Sequence, residues 1–193
     1  MDVLVAGLIV FLGVHSTRVF AESFRTRWLD RLGEKPWKGA YAIVSLAGFL
    51  LLVWGYGLAR QSPVVLWTPP RGMNHLAALL TLVAFVMLAA AYVPGNGIKS
   101  RLKHPMVLAV KVWAFAHLVS NGTLADVVMF GAFLLWAVLV FRASRQRDRA
   151  QGTEYSPGNA SRTWITIVVG AGAWVAFAFW GHAYLIGVSP LGV

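Results

Sequence analysis

The sequence predicts an all-α, polytopic transmembrane helical bundle of about six spans, with both termini on the non-cytoplasmic side. Three features predict it: the apolar residues fall in long unbroken runs, the runs approach the length of a bilayer crossing, and the basic residues between them are concentrated in every second loop. The chain is 58% hydrophobic and 12% charged over 193 residues, which is a membrane composition. A soluble helix shows polar residues on one face at a 3.6 period, whereas 76–93 (LAALLTLVAFVMLAAAYV) is apolar all round. A barrel strand would alternate over ~10 residues, and none of the runs does.

The six expected spans are 3–20, 41–58, 76–93, 105–119, 124–141 and 164–188, most of them near the ~18–20 residues that cover the hydrocarbon core. The first is read as a span and not a signal peptide, because Asp2 stands where a basic n-region belongs and no small-residue cleavage site follows. After it come Arg25, Arg27, Arg31, Lys35 and Lys38; after the third come Lys99, Arg101 and Lys103; after the fifth come Arg142, Arg145, Arg147, Arg149 and Arg162. The remaining loops hold only Arg60 and Arg71. This bias places the basic loops in the cytoplasm. The link at 120–123 is short enough for a tight helical hairpin. The polar stretch 142–162 reads as a cytoplasmic loop near anionic headgroups, disordered towards its middle. Residues 1–193 form one domain with no internal repeat.

Several function classes fall away. The net charge of +10 is explained by the loops, and no basic, aromatic-laced soluble segment exists to bind nucleic acid. With no cysteine there is no disulfide, thiolate metal site or cysteine nucleophile.

Ionisable residues inside spans are costly and mark function. Span one carries His15, Ser16 and Arg18; His75 opens span three; span four carries Lys111 and His117, with His104 at its mouth; Asp126 lies near the outer end of span five, and His182 lies in span six. His15 and Arg18 share a helix face, which must look into the bundle or a wet cavity. His15 is either a ligand or a hydrogen-bonded structural histidine, and Arg18 either meets a ligand or snorkels to the headgroups. His104 precedes Pro105 and is expected at the helix N-cap. Lys111 either snorkels or meets an anion such as a cofactor carboxylate, while Trp113 is expected to pack. His104 and Lys111 fall within about 20° of one face and His117 about 140° away, so one straight helix does not aim all three at one small pocket.

His15-Ser16-x-Arg18, the Pro-rich stretch before His75, Arg101-x-x-His104-Pro105 with Trp113 and Ala116-His117, and Gly181-His182-x-x-Leu185-Ile186-Gly187-Val188-x-Pro190 together resemble the NnrU family, over nearly the whole chain. These are bacterial membrane proteins linked to denitrification and similar to zeta-carotene isomerase. The resemblance implies haem b in the bundle with His15 and His117 as iron ligands, His104 and His75 matching further histidines, a lipid-dissolved polyene as the substrate class, a respiratory protein partner, and the bacterial inner membrane. The isomerase's redox-switch cysteine falls on Ala114 here, and a further histidine of the isomerase falls near Trp136. By depth, at 1.5 Å per residue, His15 lies roughly 5 Å to the cytoplasmic side of its span centre and His117 roughly 6 Å to the outer side, so His15 with His104, or His75 with His117, are the substitute pairs. The Arg-x-x-His-Pro mouth is also similar to isoprenylcysteine methyltransferase-like enzymes, which implies S-adenosylmethionine as an alternative. A non-catalytic accessory membrane protein is the third reading. Arg18 and Lys111 are the expected counter-charges for an anionic cofactor group or a lipid phosphate.

Overall fold

The computed structural model describes residues 1–191; the last two residues of the expected outer C-terminus lie outside the described residues. Every described element is helical, and strand-like pairing is limited to two isolated bridges. Four helices are long and apolar enough to cross a membrane: α4 (Glu34–Ala59), α5 (Met73–Tyr92), α8 (Leu124–Ala150) and the segment Ala160–Ile186. The last is α9 (Ala160–Ala176), a π-helical turn (Phe177–Gly181) and α10 (His182–Ile186).

Two further apolar helices are shorter: α1 (Asp2–His15) and α7 (Pro105–Ser120). At 1.5 Å per residue they run about 21 and 24 Å, below the ~30 Å of hydrocarbon. The expected span 3–20 is interrupted after His15, where three successive side chains bond back to the helix. His15 Nδ1 donates to the Phe11 carbonyl (2.7 Å), Ser16 Oγ to Leu12 (2.6 Å) and Thr17 Oγ1 to Val14 (3.0 Å). Such bonds compete with the backbone ladder and locally destabilise or bend a helix. A four-residue α2 (Thr17–Phe20) follows, then α3 (Glu22–Leu32), a helix in what reads from sequence as a loop.

The chain divides into two compact units. The first holds residues 1–67 and 123–140. Within it α1 and α4 run antiparallel with their backbones touching, since a Cβ on Gly7 would meet Leu52, one on Gly48 would meet Phe11, and one on Gly55 would meet Leu4. Small residues are what allow apolar helices to approach this closely. Asp126 is buried here and closes a capping box with Thr123: its Oδ2 accepts from the Thr123 amide (3.1 Å) and hydroxyl (2.6 Å), and its own amide donates to Thr123 Oγ1 (3.3 Å). Tyr56 donates to its other oxygen (2.6 Å), so Asp126 is a structural acid.

The second unit holds residues 68–122 and 141–193. In it α5 packs between α7 and α9. Ala84, Met87 and Ala109 form its core, with Leu102, Leu108, Val112 and Trp113 packed against them. Trp174 Nε1 donates to Thr81 Oγ1 across α9 and α5 (3.0 Å). Buried Asn96 caps α6 (Gly97–Leu102) by accepting from Lys99 N (2.8 Å) and donates to the Ala90 carbonyl (2.9 Å). The stretch expected to be disordered is ordered instead. Helix α8 continues to Ala150, and the rest is tied down by Thr153 N to Asp148 O (2.8 Å) and Asn159 N to Gly95 O (2.8 Å), with Gly158 laid on the Gly97 backbone.

Candidate functional site

In the first unit, the half-buried His15 closes α1. Its ring lies 4.3 Å from Phe11, 5.4 Å from Tyr41 and 6.3 Å from Trp136, the last two edge-on. Because Nδ1 gives its proton to the Phe11 carbonyl, the neutral imidazole carries its lone pair on Nε2, which has no hydrogen-bond partner among the described residues. Beside it runs an apolar groove of about 480 Å³ lined by Leu8, Leu12, Gly13, Ser16, Phe20 and Trp136 among others. The Trp136 indole N–H and the Ser45 hydroxyl are buried without partners among the described residues. The expected shared face of His15 and Arg18 is interrupted by the helix break at Ser16, and Arg18 lies 3.8 Å from Glu22 with 57% of its side chain exposed.

In the second unit, His117 Nδ1 faces the Trp113 carbonyl four residues earlier (2.9 Å), as His15 Nδ1 faces Phe11, and its ring lies 5.1 Å from Trp113. Trp113 packs against the core as expected. His75 is exposed in the first turn of α5, and its side chain makes no hydrogen bond among the described residues. His182 Nδ1 bonds the Val188 carbonyl (2.7 Å) just after the π-helical turn.

His104 sits at the N-cap of α7 as expected, yet its side chain makes no cap bond. It reaches the end of α8, where Nε2 meets Asp148 Oδ2 at 2.8 Å. Arg145 donates to the same oxygen (2.8 Å), as does Tyr155 (3.1 Å). Burial, and then the Asp148 carboxylate that accepts its bond, push the Tyr155 hydroxyl above the ordinary phenol range. Lys103 lies over the Tyr155 ring at 4.7 Å, and Lys111 lies over Phe141 at 5.0 Å, a ring that also meets His104 edge-on at 6.2 Å. Lys103 holds a rare positive φ of 70° and ψ of −58° with His104 N bonded to Leu102 O (2.8 Å). That is a left-handed γ-turn, a strained conformation for a residue with a Cβ. Asp148 was not singled out from sequence; its signal was being the one acid among the arginines of 142–149.

Among the described residues no three His, Asp or Glu side chains gather as a metal cluster. Two imidazoles would suffice to hold a haem, and the donor chemistry fits: a ligating histidine characteristically donates its other ring N–H to a carboxylate, a carbonyl or water, which fixes the tautomer and raises ligand basicity. His15, His117 and His182 each give Nδ1 to a carbonyl, and His104 directs Nε2 to a carboxylate.

A family model described as NnrU protein matches residues 3–190. No curated protein and no solved structure matches the chain.

Proposed function

The chain belongs to the NnrU family, and from that premise we propose that it is a six-span protein of the bacterial inner membrane that carries haem b on His15 and His117 and serves nitrogen-oxide respiration. The observation that carries this reading is the shared tautomer: two half-buried histidines, each with Nδ1 committed to the carbonyl four residues back (2.7 and 2.9 Å). In this reading α1 and α7 cross the bilayer beside the four longer helices, and the arginine- and lysine-rich loops face the cytoplasm.

When bound, the haem supplies one-electron chemistry. The chain's own residues do the rest. The Phe11 and Trp113 carbonyls hold the imidazoles in one tautomer and orientation. Phe11, Tyr41 and Trp136 surround the His15 ring, and apolar surroundings of this kind keep water from the ligand and tune the iron potential.

A second reading, isomerisation of a lipid-dissolved polyene, is favoured by the apolar groove next to Trp136, whose lining suits a hydrocarbon substrate. A methyltransferase would bind S-adenosylmethionine without a visible chromophore, and an accessory protein would bind neither. The test is the haem b content of detergent-purified protein, by the pyridine haemochrome assay, after expression with ample haem. About one haem per chain is expected; none would end the reading.

A further inference from the structure

We propose that the cluster at the start of α7 is a binding site for the phosphate headgroup of one anionic phospholipid, held by Lys103 and Lys111 beside His104 and Arg145. Lys111 is six residues inside α7 from Pro105, about 9 Å at 1.5 Å per residue. Helical side chains lean towards the N-terminus, which brings its ammonium back to the ring of Phe141, shared with His104. There it has no anionic partner among the described residues. A phenyl face stabilises a cation only weakly, while an ammonium in an apolar span is costly until an anion meets it.

Lys103 is in the same position, with its ammonium over the Tyr155 ring and no acid among the described residues. The one carboxylate bonded into the group, Asp148, is already taken by His104, Arg145 and Tyr155. Glu154, next to Tyr155, forms no ion pair among the described residues. Arg145 thus shares the one carboxylate, the ammonium groups of Lys103 and Lys111 rest on aromatic rings of the same cluster, and the excess positive charge gathers at the mouth of an apolar helix. Two further features mark the spot as a built site. Lys103 is held in a strained γ-turn, and strain of this kind persists where surrounding structure enforces it, often at ligand clamps. With its imidazole drawn to Asp148, His104 leaves the N-terminus of the 16-residue α7 without a side-chain cap, so the helix end adds its partial positive charge to the lysines. A phosphodiester fits: it is anionic, it accepts several hydrogen bonds, and its acyl chains lie beside the span.

The proposal uses neither His15 nor His117, so it stands or falls separately from haem binding. The test is native mass spectrometry of delipidated full-length protein given phosphatidylglycerol, with uncharged diacylglycerol and inorganic phosphate as the other arms and haem content read on the same samples. One phosphatidylglycerol per chain should be retained. Lys111→Met and Lys103→Met should each weaken retention about tenfold, as loss of a charged hydrogen-bond partner does, Lys111→Arg should restore it, and Arg27→Gln with Arg31→Gln on α3 should leave it unchanged. Equal losses in all variants would mean general headgroup attraction and overturn the site, as would equal retention of diacylglycerol. Displacement by inorganic phosphate, or loss of lipid as haem is loaded, would overturn the lipid assignment in favour of free phosphate or a haem carboxylate.

Discussion

Replacing Gly7 by Ala should loosen the first unit, whereas the same change at Gly13, on the same helix, should not. A methyl on Gly7 would overlap the Leu52 amide and stand 2.7 Å from Leu52 Cα and 2.8 Å from the Leu51 carbonyl carbon. All three atoms are backbone, so no side chain can turn away. Restoring an ordinary carbon contact of about 3.5–4.0 Å requires α1 and α4 to part by about 1 Å, which forfeits a quarter to a half of each dispersion contact along the seam. Overpacking of this kind costs about 1–3 kcal/mol, and the upper end applies because the Gly48 and Gly55 contacts are stretched with it. Gly13 has nothing within 4 Å of a Cβ, so Gly13→Ala should gain up to about 1 kcal/mol of helix propensity. Equilibrium unfolding in mixed micelles, followed by circular dichroism, measures both. The displaced helix also carries His15 away from Tyr41, so Gly7→Ala should retain less haem. Equal stability of the two variants would refute the close backbone seam.

Tyr155 is held neutral by burial and by Asp148. A raised phenol pKa means this contribution to stability is complete below the unfolded value near 10 and is lost as pH rises through the folded value. The phenolate absorbance missing in Tyr155→Phe should therefore titrate above ~10, and Asp148→Asn should bring it down; a component at or below 10 would refute the contact. Tyr56→Phe strips Asp126 of the Tyr56 hydroxyl donor and should cost about 1–3 kcal/mol of stability, while Ser45→Ala, at a buried hydroxyl without a partner among the described residues, should be neutral or stabilising in the same unfolding assay. Reporter fusions at Arg147 and at Asp2 should fall on opposite sides of the membrane, and the same side for both would remove the six-span topology.

Hydropathy located the helices because each apolar run is continuous, but it reads composition and not bonds, and the discrepancies follow from that. It carried span one past His15, since Thr17, Val19 and Phe20 do not look like a boundary; the break coincides with three side chains bonded to carbonyls of the preceding turn. It ended the fifth span at Phe141, where apolarity stops, although Arg142–Ala150 is rich in helix formers and continues α8. The same mistake hid Asp148, which sits on a helix end facing His104 and not in a loop. The capping-box spacing of Thr123-x-x-Asp126 went unread because Asp126 was weighed only as a charge near the membrane surface, and its bond to Tyr56, 70 residues away, is set by packing that no local pattern encodes. Pro105 correctly announced the start of α7 and the N-cap position of His104. The tautomers of His15 and His117 were beyond sequence, because they depend on side-chain rotamers that place Nδ1 on the preceding turn.

The central claim, that His15 and His117 hold haem b, is tested most directly by the oxidised and dithionite-reduced absorbance spectra of the purified protein and its four histidine variants. The account predicts a low-spin Soret and α-band pattern in the parent that is lost in His15→Ala and His117→Ala and kept in His75→Ala and His104→Ala. A spectrum kept in either of the first two, or lost with His104 or His75 instead, would contradict the assignment, and no Soret band in the parent would contradict the cofactor itself.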